Sequence, residues 1–159
     1  MEGALFVLAL LTALGCAVVA GVFFAFSGFV MDALERLPPS EGAAAMQAIN
    51  VRAVTPAFMT VLFGTAAAGL VLLVWVVVDP EGNALGLVVP AAVAYLAGTI
   101  GVTAARNVPL NDRLAALEPR DAATTGLWSE YLVRWRTWNH LRTATSLVAA
   151  AALTVALTA

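Results

Sequence analysis

Three observations predict an all-α membrane fold: a four-transmembrane-helix antiparallel bundle with short interfacial helices on the cytoplasmic side. The 159-residue chain is 62% hydrophobic and 11% charged, against roughly 45–50% and about 25% in soluble domains. Its apolar runs exceed the ~18 residues that suffice to cross a bilayer. All eight basic residues are arginines, and all fall within segments 32–55 and 106–142. By the positive-inside rule those two segments are cytoplasmic, and both termini lie outside. The expected location is the inner (plasma) membrane, as a multi-pass protein with the lipid bilayer as its first partner.

The chain reads as one membrane domain, residues 1–159, with spans at about 4–30, 57–78, 84–105 and 141–158 and cytoplasmic segments 32–55 and 106–140. The first span carries no charge, and its N-terminus lacks the positive region of a signal peptide, so it is expected to be retained. Ala17, Gly21 and Ala25, with Gly28 nearby, recur at the spacing of a close-packing stripe. Ser27, the polar exception, is expected to bond back to its own helix. Asp32, Glu35 and Arg36 mark the exit into water, and Pro38-Pro39 stops the helix.

Ser40 is expected to cap a short helix on which Gln47, Asn50 and Val54 share a face. Thr55-Pro56 has the form of a helix start, opening the second span. Asp79-Pro80-Glu81-Gly82-Asn83 is a run of turn formers, which makes the second and third spans a hairpin. In the third span Ala91, Ala94, Gly98, Gly101 and Ala105 suggest another close-packing side, Pro90 a kink, and Tyr95, Thr99 and Thr103 the interior polar groups. A break at Arg106–Arg113 with a helix restart near Asp112, then a second break at Glu118–Asp121, lead to a last helix. That helix is expected to run unbroken into the fourth span.

The stretch Trp128–Arg142 is the densest in chemistry. It holds three of the four tryptophans, one of the two tyrosines, the only histidine and three of the eight arginines. At about 100° per residue, Trp128, Tyr131, Trp135, Trp138, Asn139 and Arg142 share an arc of roughly 100°, which should face the other helices. His140 projects about 100° or more from that stripe. Three polar patches fall on the cytoplasmic side and would meet at one mouth of a bundle: Gln47/Asn50/Arg52, Asn107/Asn111, and Trp135/Trp138/Asn139/Arg142. Amides and a guanidinium in a half-dry pocket stabilise a phenolate or enolate oxygen, and aromatic walls hold a flat organic molecule. Each residue also has a plain reading: the tryptophans as an interfacial belt, Asn107 and Asn111 as turn and cap residues, Arg142 as a snorkelling side chain, and Asn50 as a helix end.

Other chemistries are excluded or disfavoured. One histidine and one cysteine cannot build a four-ligand zinc site, so no metal is expected. There is no phosphate-binding glycine loop. A net charge of −2 without a basic run makes nucleic acid an unsuitable partner. No acidic residue lies within a span, which disfavours a proton-driven transporter. Cys16 cannot form an internal disulfide, and oligomeric state is not read from the sequence.

Four stretches resemble the bacterial branch of the anthrone oxygenase-like membrane family. They are Gly21–Ser27 with Val30-Met31, Leu34 and Leu37-Pro38; Ala45–Asn50 followed by Pro56–Phe58; Asn107–Asn111 with Leu114; and Trp135-x-x-Trp138-Asn139-His140-x-Arg142-Thr143. The last two are the most specific. Asp32 departs from the proline that many relatives carry after the methionine. The resemblance implies a four-helix membrane protein and oxidation of an anthrone to a quinone by molecular oxygen, with no cofactor. By that likeness Arg142, Asn139 and His140 are the catalytic candidates, with His140 the conventional base. Trp135 and Trp138 would wall the rings, and Asn50, Asn107, Asn111 and Gln47 would complete the substrate-binding donors. The alternative is a non-enzymatic integral membrane protein that binds a hydrophobic ligand or a partner.

Overall fold

The computed structural model describes residues 3–79 and 85–158. All secondary structure among the described residues is helical, in five helices: α1 (Ala4–Glu35), α2 (Pro39–Ala53), α3 (Pro56–Val78), α4 (Gly86–Ala115) and α5 (Ala122–Ala156). Three of them, α1, α3 and α4, are long and apolar enough to cross a membrane. The expected turn after Asp79 falls on residues 80–84, outside the described residues.

Local sequence explains most helix ends. Pro39 opens α2 after an extended Pro38, so the expected cap at Ser40 is corrected: the proline ring already fixes the first helical φ. Thr55 caps α3 as expected, its Oγ1 accepting from Phe58 N at 3.2 Å, with Pro56 at the first helical position. The helix that carries the aromatic stripe runs for 35 residues without interruption, also as expected.

The expected break at Arg106–Arg113 does not occur. Wide π-helical turns over Ala94–Gly101 and Thr103–Asn107 carry α4 straight on to Ala115. In an α-helix, four-residue steps overshoot a full turn by about 40°. The wider turns absorb that drift, so Tyr95 and Thr99 remain buried, Thr103 partly so, and Asn107 follows them inward. The second short interfacial helix is therefore the end of α4, and α2 alone is a separate short helix.

α1 packs against α3 and α5, and α4 packs against the same two helices, closing a four-membered ring. Contacts between neighbours run in opposite order along the chain. Phe23 meets Phe58, and a side chain at Gly15 would meet Thr65; Tyr95 Oη donates to Leu62 O at 3.1 Å; Thr99 meets Ser146 while Asn107 meets Trp135 O. One apolar core is built from Ala9, Cys16, Leu72, Val88, Tyr95 and Leu153. A second, at the other end, holds Met31, Leu34, Met46, Leu114, Trp128 and Tyr131, with α2 laid across it. Outside, Leu11, Phe24, Val74 and Val148 stand exposed, an apolar coat suited to lipid.

The small-residue stripes need correction. Ala17 and Gly21 face outward, and nothing lies within 4 Å of where a Gly21 Cβ would stand. The close approaches are at Gly15, Gly42 and Gly98. A Cβ on Gly98 would overlap the Thr145 side chain, which Thr99 Oγ1 holds at 3.0 Å. Gly98→Ala should therefore lower stability by roughly 1–3 kcal/mol through overpacking. Gly21→Ala should be neutral or stabilising, because alanine is the better helix former. Thermal unfolding of both variants in detergent checks the contrast.

Polar contacts at the α2 end tie the elements together. Arg136 reaches Asp32 at 3.1 Å and Glu35 at 2.7 Å, so the acidic residues expected to face water also clip α1 to α5. Glu130 pairs with Arg134 at 2.6 Å and Arg113 at 3.3 Å, and both hold its carboxyl below the usual range, Arg134 foremost. These are exposed pairs that fix orientation more than they stabilise.

Candidate functional site: a buried arginine in an aromatic cavity

Between the two cores lies a cavity of about 220 Å³. Every helix contributes to it: Phe23 and Phe26 from α1, Met46, Ile49 and Asn50 from α2, and Phe58 and Leu62 from α3. Thr103 and Asn111 come from α4, and Trp135 and Arg142 from α5. Arg142 is the one charged residue in its lining.

Arg142 is 4% exposed and has no acidic partner among the described residues. Its Nη2 donates to Asn139 Oδ1 at 2.7 Å and its Nη1 to Thr103 Oγ1 at 3.2 Å, while its buried Nε has no partner. The guanidinium carbon sits 4.0 Å from the Phe23 ring centroid and 5.2 Å from that of Trp135. Cation–π contact offsets part of the cost of burial, but a buried charge normally demands an opposite one. Neutral partners, a spare N–H and an adjoining cavity are features that would suit an anion.

Asn139 holds the arginine in place. It is fully buried, and its Nδ2 donates to Phe23 O at 2.7 Å and Ser27 Oγ at 2.8 Å. Ser27 thus bonds across to α5, with Thr143 Oγ1 at 3.4 Å, and not back to its own helix. The wide turn at Phe26–Val30 carries it. Asn139 does not line the cavity, so its place is that of a positioning residue.

Asn111 presents an amide with a defined direction. Its Oδ1 accepts from Tyr131 Oη and from Trp135 Nε1, both at 2.8 Å. Indole N–H can only donate, so the oxygen is committed and Nδ2 is the end left for the cavity. Burial pushes the Tyr131 phenol up, keeping it protonated as the donor of that pair. The stacked rings of Trp128, Tyr131 and Trp135 hold the wall rigid.

The remaining candidates fall elsewhere. Asn50 lines the cavity. Gln47 does not: its Nε2 donates to Leu114 O at 2.7 Å and Leu117 O at 2.9 Å, satisfying carbonyls at the end of α4. Asn107 is buried against α5, donating to Trp135 O at 3.3 Å. Trp138 packs outside the cavity under Arg106, 4.9 Å from ring centroid to guanidinium. His140 is exposed and absent from the lining, so it does not supply a base to the cavity. Arg52 is exposed too. Among the described residues no group of three His, Cys, Asp or Glu is placed to hold a metal.

Sequence reasoning missed Phe23, Phe58 and Met46 as cavity walls and Thr103 as a partner of Arg142. Phe23 had a signal: it precedes Ser27 by one helical turn on the same stretch.

A protein with three helices long and apolar enough to cross a membrane is of the multi-pass membrane class. A family model described as anthrone oxygenase matches residues 57–152, and the chain belongs to the anthrone oxygenase family. The matched range contains Asn107–Asn111 and Trp135–Thr143; the two earlier stretches of likeness lie mostly before it. No curated protein and no solved structure matches the chain.

Proposed function

We propose that this protein is a membrane-embedded oxygenase that converts a planar, anthrone-like aromatic to a quinone with molecular oxygen and without a cofactor. The observation that carries the proposal is Arg142, buried beside the cavity with neutral partners and a free Nε. In this reading Phe23, Phe58 and Trp135 sandwich the ring system. Arg142 and the Asn111 amide hold its oxygen, with Asn50 at the rim.

The chemistry needs little more. Loss of the benzylic proton gives an enolate whose negative oxygen faces the guanidinium. The enolate carbon passes an electron to dioxygen, and the two radicals combine into a carbon-bound peroxide. The peroxide takes up a proton, and loss of the remaining hydrogen from that carbon then breaks the O–O bond, releasing water as the second carbonyl of the quinone forms. Among the described residues no carboxylate or histidine lines the cavity, and Tyr131 is held protonated. The site therefore acts by acidifying its ligand, and the proton passes to water in the groove that Asn50 and Asn111 share with Gln47 and Asp112.

The same reading takes the chain as a single membrane domain in the inner membrane, with a fourth span at residues 141–158. The exposed Leu147, Val148 and Val155 on that half of α5 support it. The arginines of 32–55 and 106–142 support a cytoplasmic side for those segments, with both termini outside. A non-enzymatic integral membrane protein that binds a hydrophobic ligand or a partner is the second reading. A cavity somewhat under the roughly 300 Å³ at which ligand pockets usually begin favours its partner-binding form over a ligand carrier. The separating experiment adds an anthrone such as emodin anthrone to purified protein without air and then admits oxygen. Quinone absorbance rising well above the uncatalysed rate supports the oxygenase. Binding without acceleration supports the carrier.

A further inference from the structure

The cavity has two differently built edges. On one, Met59 and Phe63 of α3 form an apolar rim, with Phe63 55% exposed. On the other, Asn50, Val54, Val108 and Asn111 are shared with a surface groove that also holds Gln47 and Asp112. Phe63 lies seven residues into α3, or about 10 Å along the axis from its first residue. That places Phe63 within an apolar helix long enough to cross a membrane, at the depth of acyl chains. The polar groove lies beyond the helix start, beside Thr55-Pro56, where water is expected.

We infer that the cavity opens sideways into the bilayer past Met59 and Phe63 of α3, and admits a neutral planar aromatic molecule dissolved in the membrane. Water and protons use the groove past Asn50 and Asp112. The division follows from solvation. A neutral polycycle partitions into hydrocarbon, so a route lined by methionine and phenylalanine never returns it to water. A proton cannot leave by that route and needs the amide-lined one. The inference rests on the proposed ligand class, though not on turnover.

The test uses protein in liposomes with Cys16→Ala, which removes the only native thiol, and Met46→Cys. Met46 lines the cavity and is fully buried, so it reports access to the interior. Ile49→Cys, at a neighbouring lining position, serves if the first variant does not fold. N-phenylmaleimide is the membrane-soluble planar probe, and a cationic methanethiosulfonate is the water-confined one. Phenylmaleimide should label the thiol, and adding Phe63→Trp should slow that labelling tenfold or more. Asp112→Trp should leave it unchanged, and the cationic reagent should react only through the groove that Asp112→Trp narrows. The inference is overturned if Asp112→Trp slows the maleimide and Phe63→Trp does not, if neither alters its rate, or if neither probe reacts. Because no substrate or oxygen is involved, a protein inactive on anthrones would still return one of these results.

Discussion

Arg142→Ala should reduce oxygen-dependent quinone formation by about two to three orders of magnitude, the usual effect of removing a preorganised oxyanion donor. Arg142 is the only charge in the cavity lining, and its hydrogen bonds to Asn139 and Thr103 fix it beside the space a ligand would fill. Arg142→Lys should recover part of the rate, since an ammonium keeps the charge but not the planar fork. His140→Ala provides the contrast. A true general base contributes about 10²–10⁴-fold, whereas the exposed His140 should be replaceable with less than about a twofold change. Initial rates above the uncatalysed background, measured side by side for the three variants, check both statements. A large loss in His140→Ala with Arg142→Ala active would reverse the assignment.

Asn139→Ala should lower both stability and activity. Its side chain closes three bonds in one layer of the bundle: to Phe23 O, to Ser27 Oγ and from Arg142 Nη2. A hydrogen bond to a charged group contributes about 1.5–3 kcal/mol, and leaving buried polar partners unsatisfied adds to the loss. The expected result is a marked drop in the detergent unfolding temperature together with weaker ligand binding, because Arg142 loses the group that aims it. Asn107→Ala should also destabilise the protein, since its Nδ2 bonds Trp135 O, but should spare ligand binding. Unfolding and binding measured on both variants separate the positioning role from simple packing.

Much of the architecture was legible in the chain because apolar runs, arginine placement and the Thr55-Pro56 start all act locally. The aromatic stripe was legible for the same reason: α5 is a regular helix, so Trp128, Tyr131, Trp135, Asn139 and Arg142 turned inward together. Where the backbone departs from regular geometry the pattern failed. The wide turns of α4 removed the expected break at Pro109 and turned Ala105 outward while carrying Asn107 in. Trp138 and Gln47 fit the stripe and the polar face by spacing alone. Their partners, Arg106 and the carbonyls of Leu114 and Leu117, depend on how α2 and α4 meet, which no single-helix period reveals. Ser27 was similarly opaque, because its bond to Asn139 joins residues 112 apart.

The most direct test of the central claim, that Arg142 makes the cavity a site for a planar oxyanion, is the ionisation of a bound phenol. 2-Naphthol is flat, resists the oxidation chemistry, and changes its absorbance when it loses its proton. Titrated with the protein in detergent, it should ionise at a pH at least one unit below its value in the same detergent without protein. Each unit corresponds to about 1.4 kcal/mol of preference for the anion. Binding should accordingly strengthen as pH rises toward the free phenol's own pKa, and Arg142→Gln should abolish the shift. An unchanged or raised pKa in the wild type would mean that the cavity treats its ligand as an apolar hole does, and would contradict the account.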